Sequence, residues 1–356
     1  YRWTICEAGI LAGDKNFFRD NMVTTQLSSS IADLLLDAGI STVGMEITTV
    51  DGGGNNKVFA VHTKSGKYLA KVYYSNPSDT RNRLNAEYSF LEYARKIGLE
   101  CVPKPIFSSP KKNMGLYEFV QGRKLTAPEL ALQHITQAAN FVRSLNERPE
   151  RDNALPTASE GCFSIEQHLL LTDMRVRKLL GLPVVSEIDR QALLFVGKLD
   201  SVWKKLKDAI VTRYGSISIQ LDAVDRCISP SDFGFHNALL RDTGEICFID
   251  FEYAGWDDPA KMIGDFFSQP AIPVSLEHFD IFISEALGHL KNKDELAQRA
   301  RLLLPLFQIK WSCIMLNEFL PDAARRRQFA NPTSEPWQRK RLQLEKAQQF
   351  FYSRMA

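Results

Sequence analysis

Ser229-Pro-Ser-Asp232-Phe-Gly-Phe-His-Asn237-Ala-Leu-Leu-Arg-Asp-Thr-Gly-Glu-Ile-Cys-Phe-Ile-Asp250-Phe-Glu252-Tyr-Ala254 is the stretch on which the reading of this chain turns. Asp232 and Asn237 stand five apart in a loop between apolar runs. Asn237 to Leu240 starts a short strand, Asp242-Thr-Gly makes a turn, and Glu245 to Phe251 is a nearly continuous apolar strand carrying Asp250 at its end. A carboxylate at the end of a buried strand costs free energy unless a cation compensates it. Magnesium is such a cation: it takes oxygen ligands and is held by one or two protein groups plus substrate phosphates. The hairpin brings Asn237 and Asp250 together for that purpose, and leaves Asp232 opposite them to orient, or accept the proton of, an attacking hydroxyl. Each residue alone has a plainer reading, as an Asx turn or a helix cap. All three on one hairpin favour the chemical one.

This spacing resembles the catalytic and metal loops of the protein-kinase-like superfamily, which read H-x-D-x-x-x-x-N with a further Asp thirteen residues after the Asn. The ending Asp250-Phe-Glu252-Tyr253 resembles the aminoglycoside phosphotransferase and choline kinase branch, where protein kinases carry D-F-G. Trp256-Asp257-Asp258-Pro259, with Asp265-Phe266 beyond, is similar to that branch's next segment. The chain departs from the pattern at Pro230, where the family has His, and at Ser231, where it has Gly.

The resemblance implies an α+β, two-lobed protein-kinase-like fold: an N-terminal β-sheet-plus-helix lobe over residues 1–120 and a larger, mostly helical lobe over 121–356. It implies a small-molecule kinase that moves the γ-phosphoryl group of magnesium-bound ATP (or GTP) to a hydroxyl of an aminoglycoside, amino alcohol or sugar-like acceptor. Such an enzyme needs a strand lysine on the phosphates and a helix glutamate on that lysine. Lys71 sits mid-strand in Leu69-Ala-Lys-Val-Tyr73, and Glu87 lies on the apolar stripe of its helix, between Leu84 and Leu91. Each is anomalous alone and explained as the other's ion-pair partner. Gly53, Gly54 and Asn55 precede a strand and are expected to bend over phosphates, although a plain hairpin turn reads equally well. Glu118 and Val120 match the linker that holds adenine. Glu252, Trp256 and Asp257, with Asn317 and Glu318 on a later helix, are expected near the acceptor. No G-x-x-x-x-G-K-[ST] is present, which disfavours a Walker-type NTPase. A pseudokinase is the rival reading, supported only by Pro230. A protein kinase is opposed by the missing D-F-G and A-P-E.

Outside the motifs, the pattern predicts a helix over 25–38, a hairpin from Val58 to Tyr74, a helix over 81–97 with a stop at Gly98, and a strand over 115–120. Further helices are predicted near 126–147, 163–180, 186–213, 277–292, 294–321 and 334–354, with a β-like stretch from 221 to 253 and a loop over 146–160. With 356 residues, 44% hydrophobic, 24% charged and net +2, the chain is neither disordered nor a dedicated nucleic-acid binder. Six dispersed cysteines without a C-x-x-C pair fit buried thiols in a reducing cytoplasm, and no apolar run reaches the length of a membrane span. The chain opens on Tyr1, so its natural start is expected upstream. Of the six histidines only His236 falls near the proposed site, as a loop-packing or phosphate-proximal group. Oligomeric state has no signature here.

Overall fold

The alternation around Lys64-Ser-Gly66 produces a hairpin. β2 (Lys57–Thr63) and β3 (Gly66–Val72) pair antiparallel, from Lys57 opposite Val72 to Thr63 opposite Gly66. β1 (Glu46–Thr49) adds to β2, and β5 (Met114–Glu118) to β3. With β4 (Pro105–Ser109) at the edge, the sheet runs β1-β2-β3-β5-β4, antiparallel throughout. β4 is not among the strands predicted above. Pro105 opens an edge strand, where its missing N–H interrupts no ladder. The computed structural model describes residues 15–50, 56–76, 79, 81–147, 155–321 and 335–355, with the side chains of the first helix from residue 26.

A period of two divides the sheet's faces. Ala70 joins a small core with Ile31, Leu34 and Leu35 of α1 (Lys15–Asp37) and with Phe59, Val61 and Leu116. Leu69 and Tyr117 turn the other way, into the main core with Phe90, Leu91 and Ala94 of α2 (Arg83–Lys96). Lys71 therefore faces α2 as well. The Asn82 side chain caps α2 by accepting the Asn85 N–H at 3.0 Å, and the helix stops before Gly98, whose φ of 87° suits glycine.

Past Gly122 the chain is mostly helical: α3 (Leu132–Asn146), α4 (Ile165–Leu180), α5 (Glu187–Tyr214), α6 (Pro259–Ser268), α7 (Phe279–Leu287), α8 (Lys293–Met315) and α9 (Pro336–Met355). All but α6 fall where periodicity placed helices. The β-like stretch resolves into β7 (Cys227–Ser229), β8 (Ala238–Leu240) and β9 (Ile246–Phe248). β8 pairs with β9 and with β6 (Arg123–Lys124); β7 pairs with β10 (Gly255–Asp257).

The unforeseen helix, α6, starts on an Asp-Pro step. Asp258 Oδ1 accepts the Ala260 N–H at 2.8 Å, and Pro259 fills the first helical position. All ten of its residues are buried, and Gly264 lies so close to α8 that a Cβ there would sit 2.1 Å from the Phe307 ring. Phe266 of α6 stacks on Phe282 (4.5 Å between centroids) and on Phe233 (5.0 Å), so aromatic packing runs from the helices to the residue after Asp232. The five described cysteines are free thiols. Burial pushes those of Cys162, Cys247 and Cys313 up to about 12. No described helix is long and apolar enough to cross a membrane.

Candidate active site

The catalytic loop is held from behind. Asn146, the last residue of α3, is buried. It donates Nδ2 to Ile228 O at 3.0 Å and accepts the Ile228 N–H at 2.8 Å, which fixes β7. The chain then turns through two left-handed residues, Ser231 (φ 48°) and Asp232 (φ 47°), a conformation that costs a side-chain-bearing residue about 1–2 kcal/mol. Ser229 Oγ accepts the Ser231 N–H at 3.1 Å. Phe233 and Phe235, both buried, anchor the loop among the aromatic rings. Between these anchors the Asp232 side chain stays 35% exposed. His236 Nε2 stands 3.4 Å from Asp232 Oδ1, and Asn237 Nδ2 donates to Asp232 O at 3.1 Å.

The hairpin brings the second loop alongside, with the Ile249 N–H donating to Asn237 O at 2.9 Å. Asp250 follows with φ 68°, a third strained non-glycine residue in this site. Three successive residues then reach the sheet lobe. The Asp250 carboxylate meets the Lys71 ammonium, the Phe251 N–H donates to Glu87 Oε1 at 3.3 Å, and Glu252 Oε2 accepts from Asn56 Nδ2 at 2.6 Å. Glu252 also lies 3.4 Å from Arg83 Nε. The Phe251 ring stacks on Phe90 of α2 at 4.5 Å.

Lys71 and Glu87 form the expected pair, 2.7 Å apart and both about 5% exposed. Tyr73 also donates to Glu87 Oε2 at 2.7 Å, so the 2.6 Å contact between hydroxyls has Tyr117 donating to Tyr73. Burial opposes the charge on Lys71, but Asp250, Glu87 and Glu252 outweigh it and hold its pKa well above the usual value. Burial likewise opposes ionisation of Asp250, and Lys71, helped by His236 and Lys124, still holds its carboxyl below the ordinary range. Glu87 goes the other way, raised by burial against the pull of Lys71.

Among the described residues no cluster of three or more His, Cys, Asp or Glu could hold a metal ion, which excludes an all-protein cage there. A magnesium ion that shares its ligands with phosphates needs less. Asp250, whose carboxyl is held low, and Asn237, whose amide donates through Nδ2 and so keeps its oxygen for other partners, are oxygen donors that could hold such an ion. Of the nucleotide contacts, Gly53, Gly54 and Asn55 lie outside the described residues. Glu118 ends β5 with its N–H on Lys104 O at 2.9 Å, and its carboxylate accepts the Lys104 N–H at 3.0 Å. Val120 lies past the end of β5 and has no backbone hydrogen bond among the described residues.

Two neighbouring cavities, of about 400 and 630 Å³, share Asp79, Arg81 and Glu160 in their walls. The larger reaches Glu252, Tyr253 and Ala254, just past Asp250; the smaller lies against α4 and the end of α8, with Asn317 in its wall. The acceptor residues expected from sequence are placed differently. Glu252 borders the larger cavity, but its carboxylate is engaged by Asn56 and Arg83. Asp257 is fully buried against Lys261 at 2.5 Å, and Trp256 packs on the main core; neither lines the two cavities. Glu318 is buried and bonded to Arg339 at 2.8 Å. Asn56, Tyr73, Arg83 and Asn146 were not singled out from sequence. A buried amide or guanidinium there needs a partner, but only the fold shows which.

Residues 46–265 match the model of a family described as the phosphotransferase enzyme family, a span that contains every site residue named from Lys71 to Asp257. No curated protein gives a significant match. Solved structures of similar fold include a choline kinase from Cryptosporidium parvum Iowa II (16% identity, 88% of this chain and 92% of that one, TM-score 0.55). A spectinomycin phosphotransferase with ADP and spectinomycin bound is also similar (14%, 90% and 98%, TM-score 0.61), as is a choline/ethanolamine kinase family protein from Mesorhizobium loti (14%, 91% and 94%, TM-score 0.57). The chain belongs to the phosphotransferase enzyme family, with a fold similar to that of aminoglycoside phosphotransferases and choline kinases.

Proposed function

We propose that this protein transfers the γ-phosphoryl group of magnesium-bound ATP to a hydroxyl of a small molecule, in a cleft between a nucleotide lobe ending near residue 120 and a helical lobe after it. The observation that carries the reading is the connected charge set Glu87–Lys71–Asp250, with Asp232 and Asn237 on the adjoining loop. Lys71 holds the α- and β-phosphates, oriented by Glu87. Asn237 and Asp250 hold the magnesium, which when bound neutralises charge on the phosphates. Asp232 orients the acceptor hydroxyl and takes its proton as the new O–P bond forms; the β–γ bridging bond breaks and ADP departs with the electron pair. Val120 supplies backbone groups for the base, and Gly53, Gly54 and Asn55 cover the phosphates. The neighbours named for choline, ethanolamine and spectinomycin make amino alcohols, aminoglycosides and sugar-like compounds the acceptors to try first. Free, high-pKa thiols suit the cytoplasm.

The test is magnesium-dependent ATP consumption by wild type and Asp232→Ala across such a panel. One acceptor that stimulates wild type but not Asp232→Ala, with nucleotide binding retained in both, supports the reading. Nucleotide binding without any turnover points to a pseudokinase. No nucleotide binding sinks the proposal.

A further inference from the structure

The smaller of the two cavities, unlike the larger with its three carboxylates and one guanidinium, carries an excess of positive charge. The walls of the smaller cavity hold two carboxylates, Asp79 and Glu160, and both already have cationic partners. Asp79 accepts from Arg81 Nε (2.7 Å) and Nη2 (2.8 Å), and from Arg83 Nη2 at 2.5 Å. Glu160 is bound by Arg175, a contact that holds its carboxyl down to about 2 although burial alone would raise it. Against these two acids the same walls carry, among the described residues, Arg81, Arg175 and Lys178, one positive charge in excess. Lys178 is exposed and has no acidic partner among the described residues, and Arg175 Nε is buried without a hydrogen-bond partner there.

The aromatic ring of the larger cavity is already engaged. A quaternary ammonium is caged by free aromatic faces. Tyr253, in the wall of the larger cavity, has the guanidinium groups of Arg81 and Arg83 over it, at 5.6 and 5.8 Å from its centroid; Tyr74 is the ring in the wall of the smaller. An amine bound in the smaller cavity would meet matched acids and an excess cation. A carboxylate or phosphate would meet Lys178 and the remaining donors of Arg175, a planar fork suited to oxyanions.

We propose that the acceptor is a hydroxyl compound that itself bears an anionic group, seated against Lys178 and Arg175 in the cavity between α4 and the end of α8, with its hydroxyl directed past Glu252 towards Asp250 and Asp232. This deepens the kinase reading and rests on it.

The experiment compares matched scaffolds: glucuronate, glucose and glucosamine, and glycerate, glycerol and 3-amino-1,2-propanediol. Each is measured for turnover with magnesium-ATP and for calorimetric binding to the full chain loaded with magnesium-ADP. The expected result is that an acid exceeds its amine counterpart by about tenfold or more, and that Lys178→Glu raises its KM by a similar factor while kcat and nucleotide affinity hold. Lys178→Arg should restore the wild-type KM. The proposal is overturned if an amine is preferred, if no acid exceeds its amine counterpart in binding or turnover, or if Lys178→Glu leaves the acid's KM unchanged. Loss of magnesium-ADP binding in the wild type would instead refute the kinase reading, so the two failures are separable.

Discussion

Asn56 donates to Glu252 across 2.6 Å, joining the start of β2 to the residue two beyond Asp250. Its Oδ1 meanwhile accepts the Tyr74 N–H at 3.1 Å, so one amide ties together both ends of the β2–β3 hairpin and the metal loop. Replacing it with alanine leaves a buried carboxylate and a backbone N–H short of a partner. Asn56→Ala should lose about 1–3 kcal/mol of stability and weaken nucleotide binding. Urea midpoints and titration with magnesium-ATP measure both; unchanged values would show that the bond is incidental.

Lys71 is shared by two carboxylates, and its removal strands them. Lys71→Met should cost about 3–5 kcal/mol, as breaking a buried ion pair does. Adding Glu87→Gln should recover part of that loss, because one buried charge then goes with it. A double-mutant cycle on denaturation free energy decides. Additive effects would mean that Lys71 and Glu87 do not interact.

Asp232→Asn keeps the shape of the loop but removes the proposed proton acceptor. A fall in kcat of about 10²–10⁴ is expected, with the Kd for magnesium-nucleotide unchanged. Single-turnover rates beside nucleotide titrations read the two separately, and a wild-type kcat would remove Asp232 from the chemistry.

Ser231 adopts φ 48°, a conformation that glycine takes without steric cost. Ser231→Gly relieves that strain while keeping the N–H that Ser229 Oγ accepts. Glycine's greater freedom in the unfolded chain offsets some of the gain, so a net stabilisation of up to about 1 kcal/mol is expected. A lower denaturation midpoint would show that the Ser231 side chain makes a contact worth more than the strain.

Glu160 predicts an acid limb. Its folded pKa, about 2, lies below the ordinary 4.5 because Arg175, with Lys310 and Lys261, outweighs burial. A depressed carboxyl contributes stability that is present above its unfolded value and lost as pH falls towards the folded one. Wild type should therefore lose stability between pH 4.5 and 2, and Glu160→Gln should lose less over the same window. Parallel profiles would place the acid sensitivity elsewhere.

The grouping of the candidate site was legible in the sequence because it depends on residue types at short, fixed offsets. Asp232, Asn237 and Asp250 lie on one hairpin, and period-two and period-3.6 patterns turned Lys71 and Glu87 towards each other. The acceptor region was less legible. Acidic residues after Asp250 looked like a cationic subsite, but counter-charges from distant segments, Arg83 on Glu252 and Lys261 on Asp257, are visible only once the chain is folded. α6 escaped notice because a fully buried helix has no polar face to mark its period. Asn146 fell both at the end of the helix predicted over 126–147 and at the start of the loop predicted over 146–160; it is the buried last residue of α3.

The five-stranded sheet and the ion set differ sharply in how far apart along the chain their parts lie. Most strand pairings join close neighbours in sequence, and Lys71 is only 16 positions from Glu87, whereas Asp250 is 179 positions from Lys71 and Glu252 is 196 from Asn56. During synthesis, then, the sheet lobe can form with its lysine and glutamate paired while the metal loop is still untranslated, an interval on the order of 10 s at ribosomal speeds. A nascent chain stalled anywhere in that interval should hold a folded sheet lobe with no catalytic centre. Activity would appear abruptly as the last of these long-range contacts closes.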